Sequence, residues 1–383
     1  MLSLFVICSA YAIFAPQRAD TVRARVVVIV GESSAAAPAF FGEISGFAFD
    51  RAGRLYVTDF KEPRVVVLDQ SGRQLAVIGR KGEGPGEFQA PTGPAFGPDG
   101  ALFVRNMRSV ARFAVDPKTG LATKFDSAFA VPAMSPWRSK ESSLVDARRR
   151  FLFPWSLSRQ GGLTRYFYLR FALDGRFVDT LPVPPYATAP ALTAFVMTSR
   201  SGGRMVAGLN VAPFAPVPAW TATTRGTVVS GAGDRYDLGE TDAAGAAIRR
   251  LSRAEAGARI PPAERAESAL ALKRRIDTLP VPIEQVQGTS EDVRLQRLPA
   301  VLPAFIGVVS AASGDVWVRR WPRAKGTSVF DVFNANGRYA RTVVVPRACA
   351  NEPAPVVQGS RFACLVVDAE TGEESILLAA VAG

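Results

Sequence analysis

Residues 78–120 read IGRKGEGPGEFQAPTGPAFGPDGALFVRNMRSVARFAVDPKTG. The stretch opens on a glycine-rich run, turns apolar at Ala95-Phe96, and breaks at Gly97-Pro98-Asp99-Gly100. An apolar strand follows, Leu102-Phe103-Val104, ending on Arg105-Asn106. The same order of features stands one unit earlier. Gly42-Glu43-Ile44 answers Gly86-Glu87-Phe88. Ala48-Phe49-Asp50-Arg51-Ala52-Gly53 answers Ala95 to Gly100, and Leu55-Tyr56-Val57-Thr58-Asp59 answers Leu102 to Asn106. A repeat of about 45 residues with strand patterning predicts propeller blades of four strands each.

Outward from this pair the repeat loosens. Turns led by Asp or Asn and closed by Gly recur at 69–72, 116–120, 174–175, 242–245 and 334–337. Each separates two strand-like runs, as the third-to-fourth hairpins of five blades would. Asp and Asn suit these places because their side chains bond the turn backbone. A sixth unit lies at 361–380, with room for only three strands. Arg25-Val26-Val27-Val28-Ile29-Val30 precedes the first full repeat in the register of an outer strand and supplies the fourth. Closing a ring with strands from both termini removes an open seam. The expectation is an all-β fold over residues 23–383: a six-bladed propeller whose last blade is closed by an N-terminal strand.

The chain has 383 residues, 46 Lys+Arg against 34 Asp+Glu, a formal charge of +12 and no His. Without His there is no Ser-His-Asp or Cys-His catalysis, no His-ligated zinc and no histidine pH switch. Hydrophobic residues make up 48% and charged residues 21%, a globular composition. Residues 1–15, MLSLFVICSAYAIFA, are uncharged and mostly apolar. They fall short of the roughly 20 residues a membrane span needs. They read as a signal peptide with Ala10-Tyr11-Ala12 as its cleavage motif, although the basic start is missing. Export to the periplasm or beyond follows. Cys8 then leaves with the leader, and Cys349 and Cys364 remain as an even pair in an oxidising compartment. They are either a disulfide or two buried thiols.

With these motifs in place, residues 78–120 resemble the NHL repeat: a glycine-rich link, G-x-F, a Pro, an apolar strand, D-x-x-G and Y-V-x-D. Residues 42–79 are similar, and later units match faintly. The whole chain resembles exported bacterial six-bladed propellers of the NHL-like class. That resemblance implies a toroid with a central channel, used mainly for binding. A minority of such proteins are lactonases, strictosidine-synthase-like proteins or amidating lyases. The amidating type needs zinc-binding histidines, which are absent. The lactonase type implies a channel metal held by Glu, Asn and Asp. Asp59 and Asn106 stand at matching strand ends, but Pro154-Trp155, Ala232 and Arg320 take the later places. That set makes no cage for a hard cation. No cofactor is expected.

Two links are too long for simple connections, 181–218 and 251–303. The first holds 194–198 and 204–209, which read as an extra hairpin, and then a proline-rich stretch. In the second, Pro261-Pro262 opens a helix over 263–276, with Ala266, Ala269, Leu272 and Ile276 on one face. It is either cover for the blades or a lid over the channel mouth. Propeller topology puts both insertions on the face that also carries 59–64, 79–91 and 320–325. Lys61, Arg64, Arg80, Lys81, Arg108, Arg319, Arg320 and Arg323 gather there, and Arg suits carboxylates and phosphates. A solvated rim in an arginine-rich chain is the bland alternative.

Candidate binding residues are therefore Asp59, Arg64, Arg80, Asn106, Arg108 and Arg320. Asp50, Asp69, Asp99, Asp116 and Asp174 are assigned to turn geometry. Gly82 to Gly86 lacks a following helix, so it is a link and not a phosphate cradle. The functional expectation is a monomeric, non-enzymatic binding propeller whose partner is an anionic small molecule or protein. One alternative is a lactonase-like hydrolase using a channel-bound divalent metal. Another is a nucleic-acid-binding NHL propeller, which export argues against. No membrane contact is expected beyond the leader.

Overall fold

In a computed structural model, the structure describes residues 20–31, 41–133, 142–158, 164–186, 212–253, 257–278 and 291–382. The expected leader over 1–15, Cys8 and the expected hairpin at 194–198 and 204–209 lie outside them.

Strands β1 (Thr21–Arg23) and β2 (Arg25–Val30) come first. Blade one is β3 (Ile44–Phe49), β4 (Leu55–Asp59), β5 (Arg64–Leu68) and β6 (Gln74–Ile78). Blade two is β7 (Thr92–Phe96), β8 (Leu102–Asn106), β9 (Ser109–Val115) and β10 (Ala122–Ala130). Blade three is β11 (Leu144–Val145), β12 (Arg150–Ser158), β13 (Thr164–Ala172) and β14 (Phe177–Pro182). Blade four is β15 (Ala219–Ala222), β16 (Val228–Gly231), β17 (Asp237–Thr241) and β18 (Ala247–Ser252). Two helices follow, α1 (Pro262–Asp277) and α2 (Glu291–Arg294). Blade five is β19 (Gly307–Ser310), β20 (Val316–Arg319), β21 (Ser328–Phe333) and β22 (Tyr339–Val345). Blade six has β23 (Val356–Gln358), β24 (Arg361–Val367) and β25 (Glu374–Ala380).

The sixth blade takes β2 as its fourth strand, in the order β2-β25-β24-β23. The pairing is antiparallel, from Arg25 opposite Ala380 to Val30 opposite Ile376. The fold is thus a six-bladed propeller of four-stranded sheets. Sheet structure starts at Thr21, ahead of the expected residue 23. β1 pairs in parallel with β22, Thr21 opposite Thr342 and Arg23 opposite Val344, as a fifth strand of blade five. The chain steps from blade five to blade six at buried Ala24, whose N–H donates to Val344 O at 2.9 Å. A three-residue strand with so distant a partner leaves no local pattern in the sequence.

The core lies in the seams between blades. Tyr56, Phe88, Val104 and Phe113 fill the seam between blades one and two. Trp317, Phe330, Phe362 and Leu377 fill that between five and six. Burying each such side chain contributes about 1.5–3 kcal/mol. Central strands such as β4 are buried on both sides, so they read as near-continuous apolar runs. The last seam is also tied covalently. Cys349, in the link to blade six, is bonded to Cys364 on β24, with Cα atoms 5.7 Å apart, within the usual bridging range.

The ring has two unlike ends. The turn face carries the first-to-second and third-to-fourth turns. Asp69 Oδ1 there accepts the N–H groups of Ser71 at 2.9 Å and Arg73 at 3.0 Å. Led by the Ser71 hydroxyl, its hydrogen bonds hold the Asp69 carboxyl down at about 2. Asp50, Asp99, Asp116 and Asp174 bond their own turns in the same manner. Arginines cross this face from blade to blade. Arg51 donates to Pro98 O and Arg54 to Gly120 O, both at 2.5 Å, and Arg249 to Asn334 O at 3.1 Å. Arg361 lies over Gly53, whose φ is +79°; any Cβ there would strike the guanidinium.

The link face carries the second-to-third turns, the links between blades and both insertions. Its helix α1 runs one residue beyond the expected 263–276 at each end. Leu272 is buried and Ala269 and Ile276 half-buried, but Ala266, expected on the same face, is exposed. β18 and Arg253 precede the second insertion, which begins later than residue 251.

Candidate functional site

Asp59 ends β4 and has no solvent exposure. Its carboxylate accepts the N–H groups of Gly42 and Glu43 at 3.0 Å and of Glu62 at 3.2 Å, and lies 3.6 Å from Arg64. Asn106 ends β8 at the matching place. Its Oδ1 accepts the N–H groups of Gln89 at 3.0 Å and Ala90 at 2.9 Å. Both side chains fasten the link that feeds their own blade. Their oxygens are spent on backbone donors that would otherwise be unsatisfied, a structural duty for two residues read as site candidates.

Arg320 holds the same place in blade five and meets a carboxylate instead. Asp331, on β21, is fully buried. It accepts the Tyr236 hydroxyl at 2.8 Å, Arg253 at 2.9 Å and the Thr342 hydroxyl at 2.5 Å, with Arg320 at 3.8 Å. Burial, and the Asp331 carboxylate beside it, push the Tyr236 hydroxyl far above the usual phenol range. The cluster binds the end of blade four to the middle of blade five. Sequence reasoning missed Asp331, Tyr236 and Arg253. One signal was present: a lone acid inside Ser328-Val329-Phe330-Asp331-Val332-Phe333, a run apolar on both faces, demands buried partners.

The other candidates lie apart. Arg80 is 83% exposed and pairs with Glu87 at 2.8 Å. Glu87 also accepts the Gly84 N–H at 2.9 Å, so the glycine-rich loop is filled by its own acid. Arg108 is exposed on the turn after β8. Arg319 is buried and donates to Ala350 O and Asn351 Oδ1 at 2.7 Å, and to Cys349 O. Burial pulls its guanidinium down to about 10, still charged at neutral pH. Lys61 lies 3.9 Å from Glu43. The structure brings Asp59 and Arg64 together on blade one, puts Asn106 and Arg108 on one turn of blade two, and leaves Arg80 on the link between these blades and Arg320 on blade five. Much of the basic set is neutralised where it stands. Among the described residues, no three His, Cys, Asp or Glu side chains gather where a metal ion could sit.

The first insertion and the chain returning from the second are both anchored over blades four and five. Phe214, from the first, packs on Trp321 of blade five with ring centroids 6.0 Å apart. Gly233, in the second-to-third turn of blade four, is pinched between the backbones of Val217 and Phe305. Ala304 N–H donates to its carbonyl at 2.8 Å. Both insertions therefore brace one side of the link face. No described helix is long and apolar enough to cross a membrane.

No family model matches the chain, and no curated protein matches it. Several solved structures are similar. A Bacteroides fragilis protein described as a candidate exported protein is 10% identical, with a TM-score of 0.47 over 94% of this chain and 98% of that one. Virginiamycin B lyase from Staphylococcus aureus is 11% identical, with a TM-score of 0.40 over 88% and 94%. Regucalcin, a calcium-binding protein from Agrobacterium tumefaciens, is 14% identical, with a TM-score of 0.42 over 95% and 97%. None of them carries chemistry over to this chain.

Proposed function

We propose that this chain is an exported, non-enzymatic, monomeric binding propeller of the NHL-like class that engages an anionic partner through its link face. The observation that carries the reading is that the ends of both insertions are anchored over blades four and five, through Phe214 on Trp321 and through Val217 and Ala304 at Gly233. Binding residues concentrate on loops held by a rigid scaffold, and here two long links are braced on one. Export is supported by the Cys349–Cys364 bond, since disulfides persist in oxidising compartments, and by the leader-like 1–15. The non-enzymatic reading is supported by the lack of His in the chain and by the hydrogen bonds that occupy Asp59 and Asn106. No cofactor is proposed.

A photo-crosslinking residue placed at Arg323 on the link face, and separately at Arg148 on the turn face, tests this in the native host. The expected result is adducts from position 323 only, in the extracytoplasmic fraction. Equal adducts from both positions would overturn the face assignment. Divalent-metal-dependent lactone hydrolysis by the purified protein would move the reading to the lactonase-like alternative.

A further inference from the structure

The insertion between blades four and five is built as an arm on a stalk. At its base Ile260 N–H donates to Ala300 O and Leu302 N–H to Ala258 O, both at 2.9 Å. The chain therefore leaves and returns side by side. Beyond the base, α1 buries a single side chain, Leu272. A helix that covers blades would bury a stripe of three or four residues in every two turns. This one leaves Leu270 49% exposed, and Leu295 and Val301 nearby are 49% and 42% exposed.

Along α1 runs an open groove of about 400 Å³. Pro262, Arg265, Ala266 and Ala269 line it from α1, and Gln296, Arg297 and Leu298 from the segment after α2. Charge along the helix is sorted. Pro262, Arg265, Ala266 and Ala269 recur at spacings of three and four on the groove side, while Glu264 and Glu267 fall off it. Arg297 pairs with Glu291 at 3.9 Å and Asp292 at 3.8 Å, but these side chains are exposed and such pairs hold an arginine only weakly. A lining that combines Arg265 and Arg297 with Ala266, Ala269 and Leu298 suits carboxylates with apolar side chains between them. A second copy of this chain, itself at +12, is a poor occupant on the same ground.

We propose that this groove docks an acidic, apolar-interrupted segment of a partner protein. The proposal rests on the link face being the working face, and it names the place and chemistry of contact. The test uses the mature chain and a fluorescein-labelled peptide of alternating Glu and Leu, with its Lys/Leu counterpart as control. Excising 258–301 across the stalk with a short Gly-Ser link gives a ring without the arm. Thermal melting of that ring within a few degrees of the parent is expected, because the excised ends already lie together.

Fluorescence anisotropy should show the acidic peptide binding the parent, and binding at least tenfold more weakly to the armless ring and to the Arg265→Glu/Arg297→Glu variant. The Lys/Leu peptide should not bind. The same charge change at Arg148→Glu/Arg149→Glu, on the turn face, should leave binding intact. No binding to the parent, or equal affinity across all variants, would overturn the proposal. Crosslinks from position 323 that persist in the armless ring, together with unchanged peptide binding, would sink the groove and leave the link-face reading standing.

Discussion

The turn face and the link face use their charged residues in opposite ways. On the turn face the acids serve their own turns, as Asp69 does, and arginines do the long-range fastening, with Arg51, Arg54 and Arg249 reaching carbonyls of the next blade. On the link face much of the fastening belongs to acids and amides, with Arg319 the exception in its bonds to Ala350 O and Cys349 O. Asp59 and Asn106 hold backbone N–H groups, and Asp331 collects two arginines and a tyrosine. The reason is which backbone groups each end leaves over. Tight turns present carbonyls that arginine can satisfy, whereas the incoming links present N–H groups that need an oxygen. A basic composition therefore says little about where a protein binds, since many of these arginines hold the ring together.

The largest expected effect treats the two faces as secondary to ring closure. Deleting residues 1–32 removes β1 and β2 and opens blade six along β25. The truncated chain should unfold or oligomerise, seen by size-exclusion chromatography and thermal melting. A monomer with unchanged melting temperature would show that closure does not depend on the N-terminal strands. Next is the link-face hub. Asp331→Ala leaves Arg253, Arg320 and the Tyr236 hydroxyl without their shared carboxylate, at a cost of about 3–5 kcal/mol. Urea unfolding measures it; a loss below about 1 kcal/mol would mean that this face is not held by its buried acid.

Third comes the disulfide, which joins residues separated by 15 positions. Removing it as Cys349→Ser/Cys364→Ser should cost about 3 kcal/mol in the chain-entropy account, again read from the urea midpoint. An unchanged midpoint would leave Arg319 and the seam core as the holders of that link. The smallest effect sharpens the contrast most directly. Arg249→Gln on the turn face loses buried partners and should cost about 1–3 kcal/mol. Arg80→Gln on the link face, largely exposed, should cost less than about 1 kcal/mol. Equal costs would erase the distinction between bridging and solvated arginines.

Much of the fold was legible in the chain because its signals are local. The 42–120 repeat gave two blades, the Asp- and Asn-led turns gave the hairpins, and Val26 to Val30 announced a strand in need of a sheet. Pro261-Pro262 marked the helix start within a residue. What stayed hidden depends on distant partners. β1 is three residues long and its ladder lies on β22. Arg320 looked like a free rim charge because Asp331, Tyr236 and Arg253 come to it from other strands. The stalk beneath α1 rests on single hydrogen bonds between segments of no marked composition. Asp59 and Asn106 were located by the repeat, but the same repeat could not say that their oxygens point at link backbone.

The clasp between β2 and β25 sets an order of events at the ribosome. β2 is synthesised before every blade it helps to close, and β25 after all of them. At about 5–20 residues per second, the waiting strand stands alone for roughly half a minute. It is Arg25-Val26-Val27-Val28-Ile29-Val30, an apolar, β-prone hexad with one charge and no proline, the kind of segment that seeds aggregates when unpaired. A nascent chain of this design carries that segment without its partner strand until the last one emerges.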